Sequence, residues 1–357
     1  MSIVLAIIIF CILIFVHELG HLISAKATGV KVNEFALGMG PKIFGFQKGE
    51  TMYSLRAIPI GGFCSMEGDD EESDDPRAFN KKPAWVKILV FLAGSLMNIL
   101  LAIVILSMII FYIGQPLLSI EAVSESAPIG VDGLKIGDEI VEINGEPVSS
   151  WDDVPDIIVN VASNSEPLEA TEENTGRYGD IILSSAEINF VVDRGGEMVN
   201  IDSHLYYDES GNLKIGITPK SGHSFTYFFK SFGYGVQATW DMMKSMYYFI
   251  GQLITGQSGL DQLTGPVGVV KVVSESAKAG AIRLFEFTAL ISLNLGVVNL
   301  LPFPALDGGR LLFVLIRKLT GKKITDSIEN KFHLVGIMLL FALMIIITIK
   351  DVDRLFF

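Results

Sequence analysis

His17-Glu18-Leu19-Gly20-His21 lies inside an apolar stretch that has no Lys or Arg before Lys26. On a helix, positions i and i+4 share a face, so both imidazoles can reach one metal ion. A glutamate between them can serve as general base on a water molecule. Ionisable groups within an apolar span are costly to desolvate by several kcal/mol, so three in five residues need a reason. Hydrolytic chemistry within a bilayer is such a reason.

The chain has 357 residues, half of them hydrophobic and only 19% charged. That composition describes an integral membrane protein with a soluble part. Four apolar segments are long enough to span: 3–25, 86–113, 287–305 and 332–349. The first differs from a signal peptide, although Ala25-Lys26-Ala27 has the look of a cleavage site. It has no basic n-region, and its apolar run exceeds an ordinary h-region.

Basic residues orient these spans. Residues 26–85 hold eight Lys or Arg and residues 306–331 hold six, whereas residues 114–284 hold ten over a much longer stretch. The positive-inside rule places the first two connections in the cytoplasm. The long segment, the N-terminus and the C-terminus are then outside. Ten basic residues there face 24 acidic ones, a net charge of −14. Such a segment repels nucleic acid, which is excluded as a partner. The two cysteines, Cys11 and Cys64, have no metal-ligand spacing and suggest no disulfide framework.

A second motif closes the third span: Asn299-Leu-Leu-Pro302-Phe-Pro304-Ala-Leu-Asp307-Gly308-Gly309. Two prolines and a glycine pair break the helix. Irregular backbone at membrane depth is tolerated where it lines a cavity. Taken alone, Asp307 also suits a helix-terminal carboxylate near the headgroups. Depth argues for more. His17 lies 14 residues past Ile3, about 21 Å along a helix, in the inner half of the bilayer. The third span runs in the same direction and reaches Asp307 near its inner end. Two His and one carboxylate leave a fourth zinc position open, and Asp307 fits as third ligand. His204, His223 and His333 read as surface or interfacial residues.

With both motifs in view, the chain resembles the site-2 protease family of intramembrane zinc metalloproteases, in its bacterial regulator of sigma-E protease type. H-E-x-x-H is matched by His17, Glu18 and His21. N-x-x-P-x-P-x-x-D-G is matched by Asn299, Pro302, Pro304, Asp307 and Gly308. The resemblance implies one zinc ion (Zn2+) per chain held by His17, His21 and Asp307, with Glu18 as general base and Asn299 positioning the substrate backbone. The family usually has proline where Ser95 stands in Ala93-Gly-Ser-Leu-Met-Asn98.

Between the motifs, Thr51 to Ser65 alternates apolar residues ahead of Gly61-Gly62, which predicts a hairpin. It is either an ordinary packed hairpin or, as the family implies, a re-entrant one beside the active site. Gly61 and Gly62 are then candidate substrate-binding positions, where a strand edge can pair with unwound substrate. The acidic run Glu67 to Asp75 predicts a solvated loop rather than a cation site. Gly133 to Gly145 reads as turn, alternating strand and Asn-Gly turn, and resembles a PDZ domain. The module extends to about Lys220, with residues 160–180 as an insertion. It lacks a clear carboxylate-binding loop, so a size filter or a ligand-free cap is expected. Ser224 to Thr255, rich in aromatics and Met, predicts amphipathic helical pieces at the outer interface; Asp241 and Lys244 argue against a further span.

The expected fold is therefore a polytopic α-helical membrane protein with four transmembrane helices, a cytoplasmic-side re-entrant β-hairpin and one extracytoplasmic PDZ-like domain. The expected divisions are 1–113 (first half of the membrane core), 114–220 (PDZ-like domain), 221–284 (interfacial helical region) and 285–357 (second half of the core). The expected activity is zinc-dependent cleavage of transmembrane segments in the bacterial cell membrane. Its partners are single-pass protein substrates and the lipid bilayer; the family implies anti-sigma factors and remnant signal peptides. An inactive scaffold is disfavoured by the intact ligand and base set, and a transporter by the absence of an internal repeat.

Overall fold

The computed structural model describes residues 2–69, 73–124, 127–163, 166–168, 171, 178, 181–208, 210–257, 259, 263–320 and 326–356. Residues 70–72 of the acidic run and most of the 160–180 insertion lie outside that set. Along the chain come α1 (Ser2–Ala27), β1 (Val32–Lys48), β2 (Thr51–Met66) and α2 (Ala84–Ile113). Next are β3 (Gln115–Val123), α3 (Pro128–Val131), β4 (Glu139–Ile143), β5 (Glu146–Pro147) and α4 (Asp153–Ala162). Then follow β6 (Ile182–Asp193), β7 (Met198–Tyr207), β8 (Leu213–Lys214) and β9 (Ile217–Gly222). The chain ends with α5 (Phe225–Ile254), α6 (Pro266–Ala279), α7 (Ala281–Asn299), α8 (Asp307–Thr320) and α9 (Asp326–Phe356). Two compact units result: one from residues 1–109 and 230–357, the other from 110–229.

In the first unit, α1, α2, α7 and α9 are long and apolar enough to cross a membrane. Their outward Leu, Ile and Phe side chains suit lipid, while small residues face inward, where backbones must approach closely. α7 begins at Ala281, six residues before the expected Phe287, because Arg283 and Glu286 pair across the helix surface at 2.9 Å and continue its first turns. It stops at Asn299, where Pro302 and Pro304 deny further backbone donors. α5 is one continuous helix of 30 residues rather than separate pieces. Its Met242, Met243, Met246 and Ile250 pack on Ala102, Ala289, Leu293 and Val297, so α2 and α7 support its C-terminal half.

β1 and β2 form an antiparallel pair turning at Gly49-Glu50. The hairpin is thus larger than the expected 51–65, and Gly61-Gly62 lie within β2 rather than at its turn. β1 escapes the sequence pattern because Gly38, Gly40, Pro41 and Gly45 imitate turn chemistry. Both strands fold back, so Phe35 faces Tyr53 on one side and Cys64 on the other. Beyond β2, Glu67 and Asp75 face Lys31 at 3.4 and 3.1 Å, and Arg310 donates to Asp69 at 3.1 Å. Glu67, Asp69 and Asp75 are therefore held by cations, while Asp74 stays fully exposed to solvent.

The second unit is a seven-stranded sheet in the order β8-β7-β6-β4-β3-β9, with β5 on β4. Ile120, Ile129, Ile140, Ile143, Phe190, Val192 and Leu205 form its core, roofed by Trp151, Ile157 and Ile158. Asn144 and Gly145 both have positive φ, the conformation a two-residue turn between twisted strands requires. Asp138, 1% exposed, receives Arg194 at 2.7 and 2.8 Å and the Lys135 N–H at 2.8 Å. Burial alone would raise its carboxyl, but the Arg194 guanidinium and the Lys135 amide hold it below the usual range.

Candidate metal centre

His17 and His21 lie one turn apart on the same face of α1, each 8% exposed. Their rings meet edge-on with centroids 4.9 Å apart, and their Nε2 atoms are 3.3 Å apart. Asp307 Oδ2 lies 3.2 Å from His17 Nε2 and 3.4 Å from His21 Nε2. Tetrahedral zinc with bonds of about 2.0–2.1 Å holds neighbouring donors about 3.3–3.4 Å apart. The observed triangle has that edge length. Asp307 Oδ2 is buried and has no well-aligned hydrogen-bond partner. A buried carboxylate oxygen without a donor, facing two imidazole nitrogens, suits a cation that replaces the missing protons. Among the described residues, this is the one group of three His, Cys, Asp or Glu side chains whose ligand atoms converge within 4.8 Å.

Local sequence explains how the three arrive together. α1 approaches α2 at Gly20, where a Cβ would press into the backbone of Ala93 and Gly94. At Gly94 a Cβ would overlap His21 Nε2 and stand 2.8 Å from His17 Cε1. His21 Nδ1 lies 2.8 Å from Val90 O, so the ring donates there and leaves Nε2 free to face the centre. Asp307 opens α8 after the turn 300–306. Gly308 and Gly309 leave room for the carbonyls of Leu300, Leu301 and Phe303, folding the chain tightly behind the carboxylate. Ala305, at φ 77°, donates its N–H to His333 Nδ1 at 2.8 Å, and Gly336 of α9 abuts Pro304.

The remaining candidates take distinct places. Asn299 Nδ2 lies 3.5 Å from His17 Nε2, at the rim of the triangle. Glu18 follows His17 on α1. Gly62 lies between Ala36 O and Glu18, whose Cγ would be 3.2 Å from an added Cβ. β2 thus runs directly beside the carboxylate. Gly61, at φ 87°, faces Met39 instead of the centre. His204 and His223 belong to the β-rich unit, and His333 supports Ala305. Gly20, Gly94 and the Val90 carbonyl were missed by motif reasoning. The small residues of two apolar helices were the available signal for the first two; a backbone carbonyl leaves none.

Residues 5–343 match the model of peptidase family M50. The chain belongs to this family. A Clostridium acetobutylicum protein bearing a provisional zinc-metalloprotease name is 39% identical over 98% of this chain and 97% of its own. The Bacillus subtilis regulator of sigma-W protease RasP is 31% identical over 99% of each. The Geobacillus kaustophilus zinc metalloprotease RasP is 30% identical over 99% of this chain and 98% of its own. A PDZ domain from a Listeria monocytogenes SdrC-like protein covers 31% of the chain and 90% of itself at 22% identity. Its TM-score of 0.20 is too low to bear on the fold of the β-rich unit. The M50 chain is a zinc-dependent metalloprotease of the site-2 type.

Proposed function

We propose that this M50 protease cleaves peptide bonds within membrane-spanning segments of single-pass proteins, with zinc held by His17, His21 and Asp307. The observation that carries the reading is the triangle of ligand atoms between α1 and α8, in a unit built from four helices apolar enough to span. Bound zinc supplies a Lewis acid and lowers the pKa of water toward neutrality. Glu18, next to His17 on the helix, accepts the proton of the attacking water and delivers it to the leaving amine. Asn299, at the rim of the ligand triangle, offers an amide to the substrate backbone.

A helical substrate hides its carbonyls in i to i−4 hydrogen bonds, so it must unwind before attack. β2, packed beside Glu18 at Gly62, offers backbone groups to an extended segment. Exposed Met39, Ile43, Phe44, Leu55 and Ile58 on β1 and β2 suit a hairpin that dips into lipid. Charge asymmetry supports an active site on the cytoplasmic side of the bacterial cell membrane, with both termini and the β-rich unit outside. The PDZ-like pattern of that unit supports a size filter favouring substrates already shortened outside, such as anti-sigma factors or remnant signal peptides.

Wild type and Glu18→Gln, purified in detergent, test the reading with a model single-pass substrate and zinc analysis. The expected result is zinc in both and a loss of about 10²–10⁴-fold in cleavage by the variant. Equal cleavage would remove Glu18 from the mechanism. Cleavage only outside the substrate's apolar segment would refute the intramembrane reading.

A further inference from the structure

His21 and His17 are unequally supported. His21 Nδ1 meets Val90 O, but His17 Nδ1 faces the side-chain amide of Asn98 at 3.4 Å. Val90, Gly94 and Asn98 recur every four residues on one face of α2. That face therefore presents an acceptor for His21, a gap that admits both rings, and an amide for His17. Asn98 is 0% exposed, and its Oδ1 has no hydrogen-bond partner. Its backbone is tied to α7, since Ser292 Oγ donates to Asn98 O at 2.8 Å.

The ring's proton decides which amide atom belongs beside it. If Asn98 Nδ2 donates to His17 Nδ1, the neutral ring carries its proton on Nε2, the atom aimed at Asp307. A ring that offers Nε2 to a cation must instead be protonated on Nδ1 and needs an acceptor there. Half a turn of the Asn98 amide supplies Oδ1 at that place. We infer that Asn98 is the positioning residue for His17: its Oδ1 accepts the Nδ1–H, fixing the tautomer and turning Nε2 to the metal. This inference rests on the zinc reading above. It makes α2 the helix that orients both imidazoles, one through a backbone carbonyl and the other through a side chain.

The test uses the full chain in detergent, with wild type, Asn98→Leu, Asn98→Ala, Asn98→Asp and His17→Ala. Zinc affinity is measured by competition with a chelator, and the ligand field is read from the visible absorption of the cobalt(II) form. Asn98→Leu is expected to weaken zinc by about 10–100-fold and alter the cobalt bands, whereas Asn98→Asp, which keeps an oxygen acceptor, stays within about threefold of wild type. Asn98→Ala replaces Asn98→Leu in the comparison if the larger apolar side chain prevents folding. Wild-type affinity in the apolar variants would overturn the inference, and so would equal weakening by Leu, Ala and Asp, which marks Asn98 as packing alone. Failure of the zinc reading looks different: His17→Ala would then bind zinc as tightly as wild type.

Discussion

Asp138 in the β-rich unit and Asp307 in the helical unit both turn carboxylate oxygens away from water, and their surroundings differ completely. Asp138 is met by a guanidinium and a backbone amide, so both of its oxygens have donors. Asp307 Oδ2 faces two imidazole nitrogens and has no well-aligned donor. A satisfied buried carboxylate holds a fold together; an unsatisfied one tends to mark chemistry. The first stabilises its own unit through the β3–β4 turn and the end of β6. The second is held ready by a broken helix, two glycines and a backbone bond to His333.

That contrast can be broken at the glycine that makes room for the ligands. Gly94→Ala places a methyl group against His21 Nε2 and His17 Cε1. Overpacking of about 1–3 kcal/mol predicts zinc binding weaker by about 10–100-fold, read by chelator competition. Unchanged affinity would mean that the two rings are not held where α2 places them.

A smaller effect, on stability rather than metal, is expected at Asp138. Asp138→Ala leaves Arg194 without its carboxylate and costs about 3 kcal/mol, seen as faster hydrogen exchange in β4 and β6. Zinc content should not change. The pH dependence has a defined sign. Because the folded state holds the Asp138 carboxyl low, its stabilisation is fully present above about pH 4, the unfolded value. It is lost as pH falls through the lower folded value. Asp138→Asn should flatten that acid limb of the β4–β6 protection, and an undiminished limb would assign it to other groups.

Much of this was legible in the sequence. Four apolar runs gave the spans, because length and lack of charge are what a bilayer requires. Two motifs at opposite ends of the chain named the residues that converge in the triangle, since His at i and i+4 and a carboxylate after a broken helix have few other uses. What stayed hidden depends on contacts between distant elements. β1 could not be seen because its glycines and Pro41 imitate turns, and only pairing with β2 makes them strand. α5 read as interfacial pieces from its aromatic and Met content, and only the packing of Met242, Met243, Met246 and Ile250 against α2 and α7 shows what one face of the continuous helix meets. Gly20, Gly94 and Asn98 carry meaning only once α1 lies against α2.

Asp307 is proposed to complete a metal site, whereas Asp138 completes a fold. Zinc analysis of wild type, Asp307→Ala and Asp138→Ala, each prepared with one equivalent of zinc and desalted in detergent, tests it directly. About one zinc per chain is expected in wild type and Asp138→Ala, and little or none in Asp307→Ala. Full zinc retention by Asp307→Ala would contradict the account, leaving the carboxylate a neighbour of the two histidines and nothing more.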